Sequence, residues 1–478
     1  WAPTTAQDMI NRIPGVSSGG GGGGGFGGGG GGRGLGAGGG DQILIDGKRM
    51  AGKGNQSRDQ LGRISASQVD YIELIRGTSA ELDVRSSGQI VNVVLLEALD
   101  TDTISYQVNA DRYIDGEVVP GGSIAYSGQS GAFTYLFSGQ AEPRYEHYTS
   151  KETSRLGDWS FNDQVREERT RDRTDYNFST NLGYEINERS SARLNGLFGI
   201  SDNTTDVDRW TTDLRSNPTT LAVQREDVPE DQNNWEIGGD YEYNFANGQR
   251  FKVIVVTNEN DRSNVRERYD VYDNGTESKN LFLASASTTR ERIVRGSYSM
   301  SVAQGQDIEF GAERAQTILD SSLRYALRST TGTPSADFGG LVPQKVSNSN
   351  STVEEIRVEP FLVHNWQLNS RMTLESSLVY EMSEITQTGD VYNQRDFAFL
   401  KPKVDFRFDV TPTFQLNWNA ERIVQQLSFS DFVAASDNQD NDSNTQAGNA
   451  NLKQEQVFIT RLGFEYRLAD DIGVIDGD

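Results

Sequence analysis

At 478 residues with a net charge of −24 and only 35% hydrophobic residues, the chain is long enough for several domains yet is acidic and polar. Its mean hydropathy is −0.61, and no run approaches the roughly 18 apolar residues of a spanning helix, which excludes a helical membrane protein and leaves a closed strand barrel as the form that could enter a bilayer. The acidic balance argues against nucleic acid, whose phosphates need a basic stripe, and the absence of cysteine excludes a disulfide framework and thiolate metal sites.

The chain opens at Trp1 without an initiating Met, a charged leader or an apolar leader core, so its N-terminus reads as cut. Thr4 or Thr5 can cap a helix that Pro14 and Gly15 end. From residue 19 to 40 glycine is interrupted only by Phe26, Arg33, Leu35 and Ala37, a composition that loses too much backbone entropy to hold one conformation and predicts a flexible loop. The run contains G-x-G-x-x-G matches, but no strand leads into it as a dinucleotide site would require. Residues 42–50 (QILIDGKRM) then read as a strand and turn, and residues 64–97 (ISASQVDYIELIRGTSAELDVRSSGQIVNVVLLE) as two further strands.

After Glu97 helical periodicity vanishes and period-two alternation continues to the end of the chain. Trp235, Ile237, Tyr241, Tyr243 and Phe245 fall on one face, opposite Glu236, Asp240, Glu242 and Asn244. Tyr176, Phe178, Leu182, Tyr184 and Ile186 likewise oppose Asn177, Ser179, Asn181 and Glu185, and Phe414, Leu416 and Trp418 oppose Gln415, Asn417 and Asn419. Short turns are expected at 128–131, 187–190, 247–249, 304–306, 369–371, 411–413 and 468–471, with long polar connections at 150–173, 213–233 and 329–350 between them. Tight turns alternating with long loops, and Tyr and Trp near segment ends, are the pattern of a transmembrane barrel with periplasmic turns, external loops and aromatic girdles. Two strands per turn gives about fourteen, whereas large plugged transporters close at about 22, so the wall reads as incomplete and the chain as truncated at its C-terminus too.

These segments together resemble a known family. Residues 5–17 (TAQDMINRIPGVS), 42–50 and 64–97 are similar, in order, to the plug domain of TonB-dependent outer-membrane receptors. Strand 71–76 with Gly77 resembles the plug's I-E-V-x-R-G-P, and 89–95 its G-V-I-N-I-I. Thr78 stands where proline is usual, and 81–87 (ELDVRSS) where many receptors have a tyrosine-glycine turn. Residues 427–454 are similar to the loop and re-entering strand that carry G-N-P-x-L-x-P-E, with Ala450 and Gln454 in place of the two prolines. The resemblance implies a mainly β fold: an incomplete transmembrane antiparallel β-barrel (residues 100–478) with a small α/β plug (residues 1–99, including the 19–40 loop) inside its lumen.

The resemblance also implies roles for individual residues. Arg76 and Arg85 are the candidates to lock the plug against carboxylates of the inner wall, for which Glu242 and Glu309 are inward by alternation and close to short turns. The apical plug loops, 33–40 and 51–58, are the candidates for ligand contact, through Arg33, Lys53, Asn55, Gln56 and Arg58. The implied function is active uptake of a scarce solute, of siderophore, vitamin or oligosaccharide type, across the outer membrane of a Gram-negative bacterium. The implied partners are TonB of the inner-membrane energy-transducing complex, outer-membrane lipid and an unknown small ligand; the TonB box would precede Trp1. A monomer is expected, with no nucleic acid, cofactor or metal.

Two other classes compete. A passive porin or structural barrel leaves residues 4–97 unexplained. A secreted β-enzyme would need paired carboxylates such as Glu354 and Glu355, but neighbours in a strand point to opposite faces. His147 and His364 lack ligand-like spacing.

Overall fold

The computed structural model describes residues 3, 5–13, 35, 42–45, 61, 64, 66, 69–76, 89–95, 102–436, 445–446, 448–449, 451–468 and 473–478. Near the N-terminus lies the helix α1 (Ala6–Ile10), and its cap is Thr5: Thr5 Oγ1 accepts from the Asp8 amide at 3.2 Å while Asp8 Oδ2 accepts from the Thr5 amide at 3.1 Å. Three strands follow: β1 (Gln42–Ile45), β2 (Val69–Arg76) and β3 (Gln89–Leu95). They form one sheet in the order β1-β3-β2, with β3 parallel to β1 and antiparallel to β2. Val91 and Val93 of β3 pack with Ala6 and Ile10 of α1 and with Leu61, Ile64 and Val69 into a small apolar core. The strands fall where the sequence places them, whereas Pro14, Gly15 and the glycine run apart from Leu35 lie outside the described residues.

A second sheet takes up the rest. In chain order its strands are β4 (Thr103–Arg112), β5 (Val118–Ser130), β6 (Phe133–Arg155), β7 (Phe161–Asn187), β8 (Ser190–Asp213), β9 (Thr220–Asn244), β10 (Arg250–Val271), β11 (Glu277–Ala303), β12 (Gln306–Leu327) and the short β13 (Val342–Pro343). Then come β14 (Asn350–Asn369), β15 (Met372–Gly389), β16 (Asn393–Thr411) and β17 (Phe414–Val424). A separate pair, β18 (Ala435–Ser436) and β19 (Thr445–Gln446), precedes β20 (Gln456–Arg467) and β21 (Val474–Gly477). Consecutive long strands are hairpin neighbours throughout, from β4 at one edge to β21 at the other, and among the described residues neither edge has a further partner. Leaving out the short β13 and β21, fourteen of the sixteen strands form the wall, as the turn spacing leads one to expect.

The two faces of this wall are inverted relative to a soluble protein. Ile237 is 50% exposed and its neighbour Glu236 only 4%. Tyr241, Phe178, Tyr184, Leu194, Phe198, Leu378 and Trp418 share the exposed aromatic and aliphatic face, while Asp240, Glu242, Asn195, Lys252 and Asp405 are buried on the other. Apolar side chains left outward around a polar interior suit lipid, which demands only that the outer face be apolar.

One expectation is corrected by the strands themselves. Residues 150–173 and 213–233, read as long polar loops, are mostly strand: β6 and β7 are joined by residues 156–160 alone, and β8 and β9 by 214–219. Apart from Phe161 at the far end of the strand, the exposed apolar side chains of β7 lie between Tyr176 and Ile186, a length matching the roughly 9–11 residues of a membrane-crossing strand. Its remaining residues continue the hairpin beyond the apolar band and, apart from Phe161 and Val165, are polar on both faces. With water on both sides there is no pressure to alternate, so no period marks these residues as strand. Two long connections do exist at that upper end, 328–349 and 425–455.

Candidate functional site on the inner wall

The leading module and the wall meet at Leu35. Its backbone amide donates to Glu313 Oε1 at 3.1 Å, and its side chain packs on Ile254 and Val256 of β10, Ile293 of β11 and Ala315 of β12. This apolar patch lies on a face that is mostly polar, so the interior is not uniformly wet as the alternation suggests. It is apolar where an inserted segment seats.

Glu313 belongs to an ion network that runs across five adjacent strands. Arg295 of β11 meets Glu313 Oε2 at 3.2 Å and lies over the Phe361 ring at 4.1 Å. Arg357 of β14 reaches Glu313 Oε1 and Glu359 Oε2, both at 3.5 Å. Lys401 of β16 pairs with Glu359 and, at 2.8 Å, with Glu381 of β15. Glu313 and Arg357 are each 2% exposed. Taking such charges out of water is costly, and mutual pairing within one layer offsets that cost. The result is a rigid charged ring segment with one carboxylate oxygen turned to the leading module.

A second network sits higher, beyond the apolar band. Arg209 of β8 binds Glu167 of β7 at 2.7 Å and Glu226 of β9 at 3.0 Å, and Arg266 of β10 binds the same Glu226 at 2.8 Å. Burial pushes the Glu226 carboxyl up, but the Arg266 and Arg209 guanidiniums outweigh this and hold it below the usual carboxylate range.

Of the residues singled out from sequence, Glu242 is buried on the inner face of β9, where Asn244 Nδ2 donates to it at 3.3 Å. Glu309 lies on the inner face of β12, half-buried, four residues from Glu313 and thus on the same side. Arg76 ends β2 opposite Gln89, but its side chain, together with Arg85, Arg33, Lys53, Asn55, Gln56 and Arg58, lies outside the described residues. Glu313, Arg295, Arg357, Glu359, Glu381 and Lys401 were not singled out. The alternation that placed Glu309 inward places Glu313 inward too, so a signal existed; which inward charges meet across strands depends on register.

Glu354 and Glu355 point to opposite faces of β14: Glu355 is buried, and Glu354 accepts from Gln316 Nε2 at 2.6 Å. His147 lies 3.2 Å from Asp115, and His364 lies 3.2 Å from Gln306. Among the described residues no group of three or more His, Asp or Glu could hold a metal ion.

Residues 2–88 match the family model described as "TonB-dependent Receptor Plug Domain". No curated protein matches the chain. Solved structures similar to it include the alcaligin outer-membrane receptor FauA of Bordetella pertussis, at 12% identity over 90% of this chain and 60% of that one, TM-score 0.41. The Serratia marcescens hemophore receptor HasR, in complex with its hemophore and heme, is similar at 12% identity over 90% and 62%, TM-score 0.46, and the copper transporter OprC at 12% over 90% and 62%, TM-score 0.45. The chain therefore spans about three fifths of the length of these structures. The chain thus carries at its head a domain that matches the TonB-dependent receptor plug model, followed by an antiparallel β wall with its apolar face outward.

Proposed function

We propose that the chain supplies the plug and much of the barrel of an active importer in the outer membrane of a Gram-negative bacterium, residues 1–99 forming the plug and 100–478 the wall. A solute too large to diffuse through a porin binds from outside, and a pull by TonB on the plug opens a path through the lumen. The similar structures are named for alcaligin, heme and copper; for this chain a siderophore, a vitamin or an oligosaccharide fits the same logic. Arg33, Lys53, Asn55, Gln56 and Arg58 serve as donors to a polar or anionic ligand, and Arg76 and Arg85 lock the plug against Glu242 and Glu309. The wall contacts lipid as a monomer.

The observation that carries this reading is the seating of Leu35 on the inner wall, amide to Glu313 and side chain in an apolar socket. A passive pore has no use for a module held in its lumen. Growth on the limiting nutrient, with and without the inner-membrane motor, tests it: uptake that persists without TonB would make the barrel a passive one. Replacing Lys53 and Arg58 together by Ala should weaken ligand binding, and unchanged affinity would remove those two from the site.

A further inference from the structure

An interior that admits a polar solute is expected to be polar at its mouth, and here the upper mouth departs from that. The first part of the connection between β17 and β20, residues 427–434, folds inward: Leu427, Phe429, Phe432 and Val433 are buried against Leu319 of β12, Val353 of β14 and Ile385 of β15. Ala434 reaches on to Leu281 and Leu283 of β11 and to Leu323 and Tyr325 of β12. The segment thus bears on inward positions of four neighbouring strands near the end opposite the short turns.

Polar clasps hold it at both flanks. Gln387 Nε2 donates to the Phe432 carbonyl at 2.9 Å from within β15. On the other flank the Ala434 amide donates to the Asn348 carbonyl at 3.3 Å, and Asn348 Nδ2 to the Gly448 carbonyl at 3.3 Å. Arg395 donates to the carbonyl of Leu452. Yet the seat is incompletely satisfied: Gln387 Oε1, Asn348 Oδ1 and both amide atoms of Gln454 are buried without a hydrogen-bond partner. Gln454 is the residue standing where the resembling motif has proline. Apolar contact favours the seated arrangement and unpaired buried polar atoms oppose it, which leaves the segment held but poised.

We propose that residues 427–434 form a latch over the upper mouth, seated through Phe429 and Phe432 on the pad of Leu319, Val353 and Ile385, and that it lifts from this pad to admit solute. The latch takes its purpose from the transport reading, but its lifting is measurable apart from transport.

The chain has no cysteine, so a single introduced thiol reports one position. Val353 is 0% exposed beneath the latch and Ser430 is exposed on it. A water-soluble maleimide should label V353C slowly and S430C fast in the folded receptor. Adding Gln387→Ala should speed V353C labelling about tenfold, the factor that losing one buried hydrogen bond gives an opening equilibrium, and leave S430C unchanged. Equal V353C labelling with and without Gln387→Ala, in barrels that keep their folded mobility on unheated gels, overturns the latch. Should Gln387→Ala fail to fold, Asn348→Ala removes the opposite clasp and is judged by the same criterion. Accelerated labelling with TonB-independent uptake leaves the latch standing and removes the transport reading; unchanged labelling with TonB-dependent uptake does the reverse.

Discussion

Two networks of arginine and glutamate occupy the inner face at different heights, and what lies behind each differs. Around Glu313 the outer face is a band of aromatic and aliphatic side chains, as at Phe310 and Leu362. Around Glu226 a different set of strands, β8 and β9 among them, is mostly polar on both faces. The ion pairs are alike in chemistry and burial in the two places, so lipid is not what requires them. Long charged side chains crowded on one face of a tall wall shield one another from water, and pairing is the only stable arrangement for them. What lipid requires is the outer face alone, and among the described residues the leading module meets the lower network, at Glu313.

The largest effect should come from removing that carboxylate. Glu313→Ala leaves Arg295 and Arg357 buried with one partner fewer and should cost about 3–5 kcal/mol of wall stability. It should also expose the leading module to protease, whereas Glu226→Ala should weaken the upper wall and leave the module protected. Equal protease sensitivity in the two variants would remove the distinction between the networks.

Next in size is a pair of substitutions on one strand and one face. Leu194 and Thr204 both point outward from β8, ten residues apart, the first within the apolar band and 48% exposed, the second beyond it. Leu194→Arg should cost about 2–4 kcal/mol on folding into a bilayer, and Thr204→Arg no more than about 0.5 kcal/mol. Urea titration of the two in the same lipid decides it; comparable costs would move the edge of the band or abolish it.

The smallest effect is a pH dependence confined to the upper network. The folded Glu226 carboxyl titrates below its ordinary value because its two arginines outweigh burial, so its contribution is present above about pH 4.3, the unfolded value, and is lost as pH falls through the folded one. Amide exchange of β8, β9 and β10 beyond the band should therefore be flat from about pH 5 to 8 and accelerate in acid. Glu226→Gln should remove that acid step, and a step that survives the substitution belongs to another carboxylate.

Much of this architecture is legible in the residues. Asn187, Asn369 and Thr411 mark turns that the structure places between consecutive strands, because tight turns demand particular residue types wherever they occur. The bounds of β3, Gln89 to Leu95, coincide with the plug-like segment. The wall beyond the band was not legible: residues 161–175 are as polar as any loop, and only pairing with β6 and β8 makes them strand. Within the candidate site, Glu242 and Glu309 could be placed inward by counting, but the meeting of Glu313 with Arg295 and Arg357, 18 and 44 residues away, depends on register between strands.

What the sequence determined by itself is periodicity and its partner solvent: the alternation after Glu97 assigns each side chain of the band to lipid or lumen, since a strand offers only two faces and a bilayer accepts only one kind. What tertiary structure alone decided is where the lumen ceases to be polar. Val256 and Ile293, or Val353 and Ile385, sit on the inward face as apolar residues with no local reason to be there. Their reason is Leu35 in the first case and Phe432 in the second, segments that are distant in the chain and become neighbours only once the wall is formed.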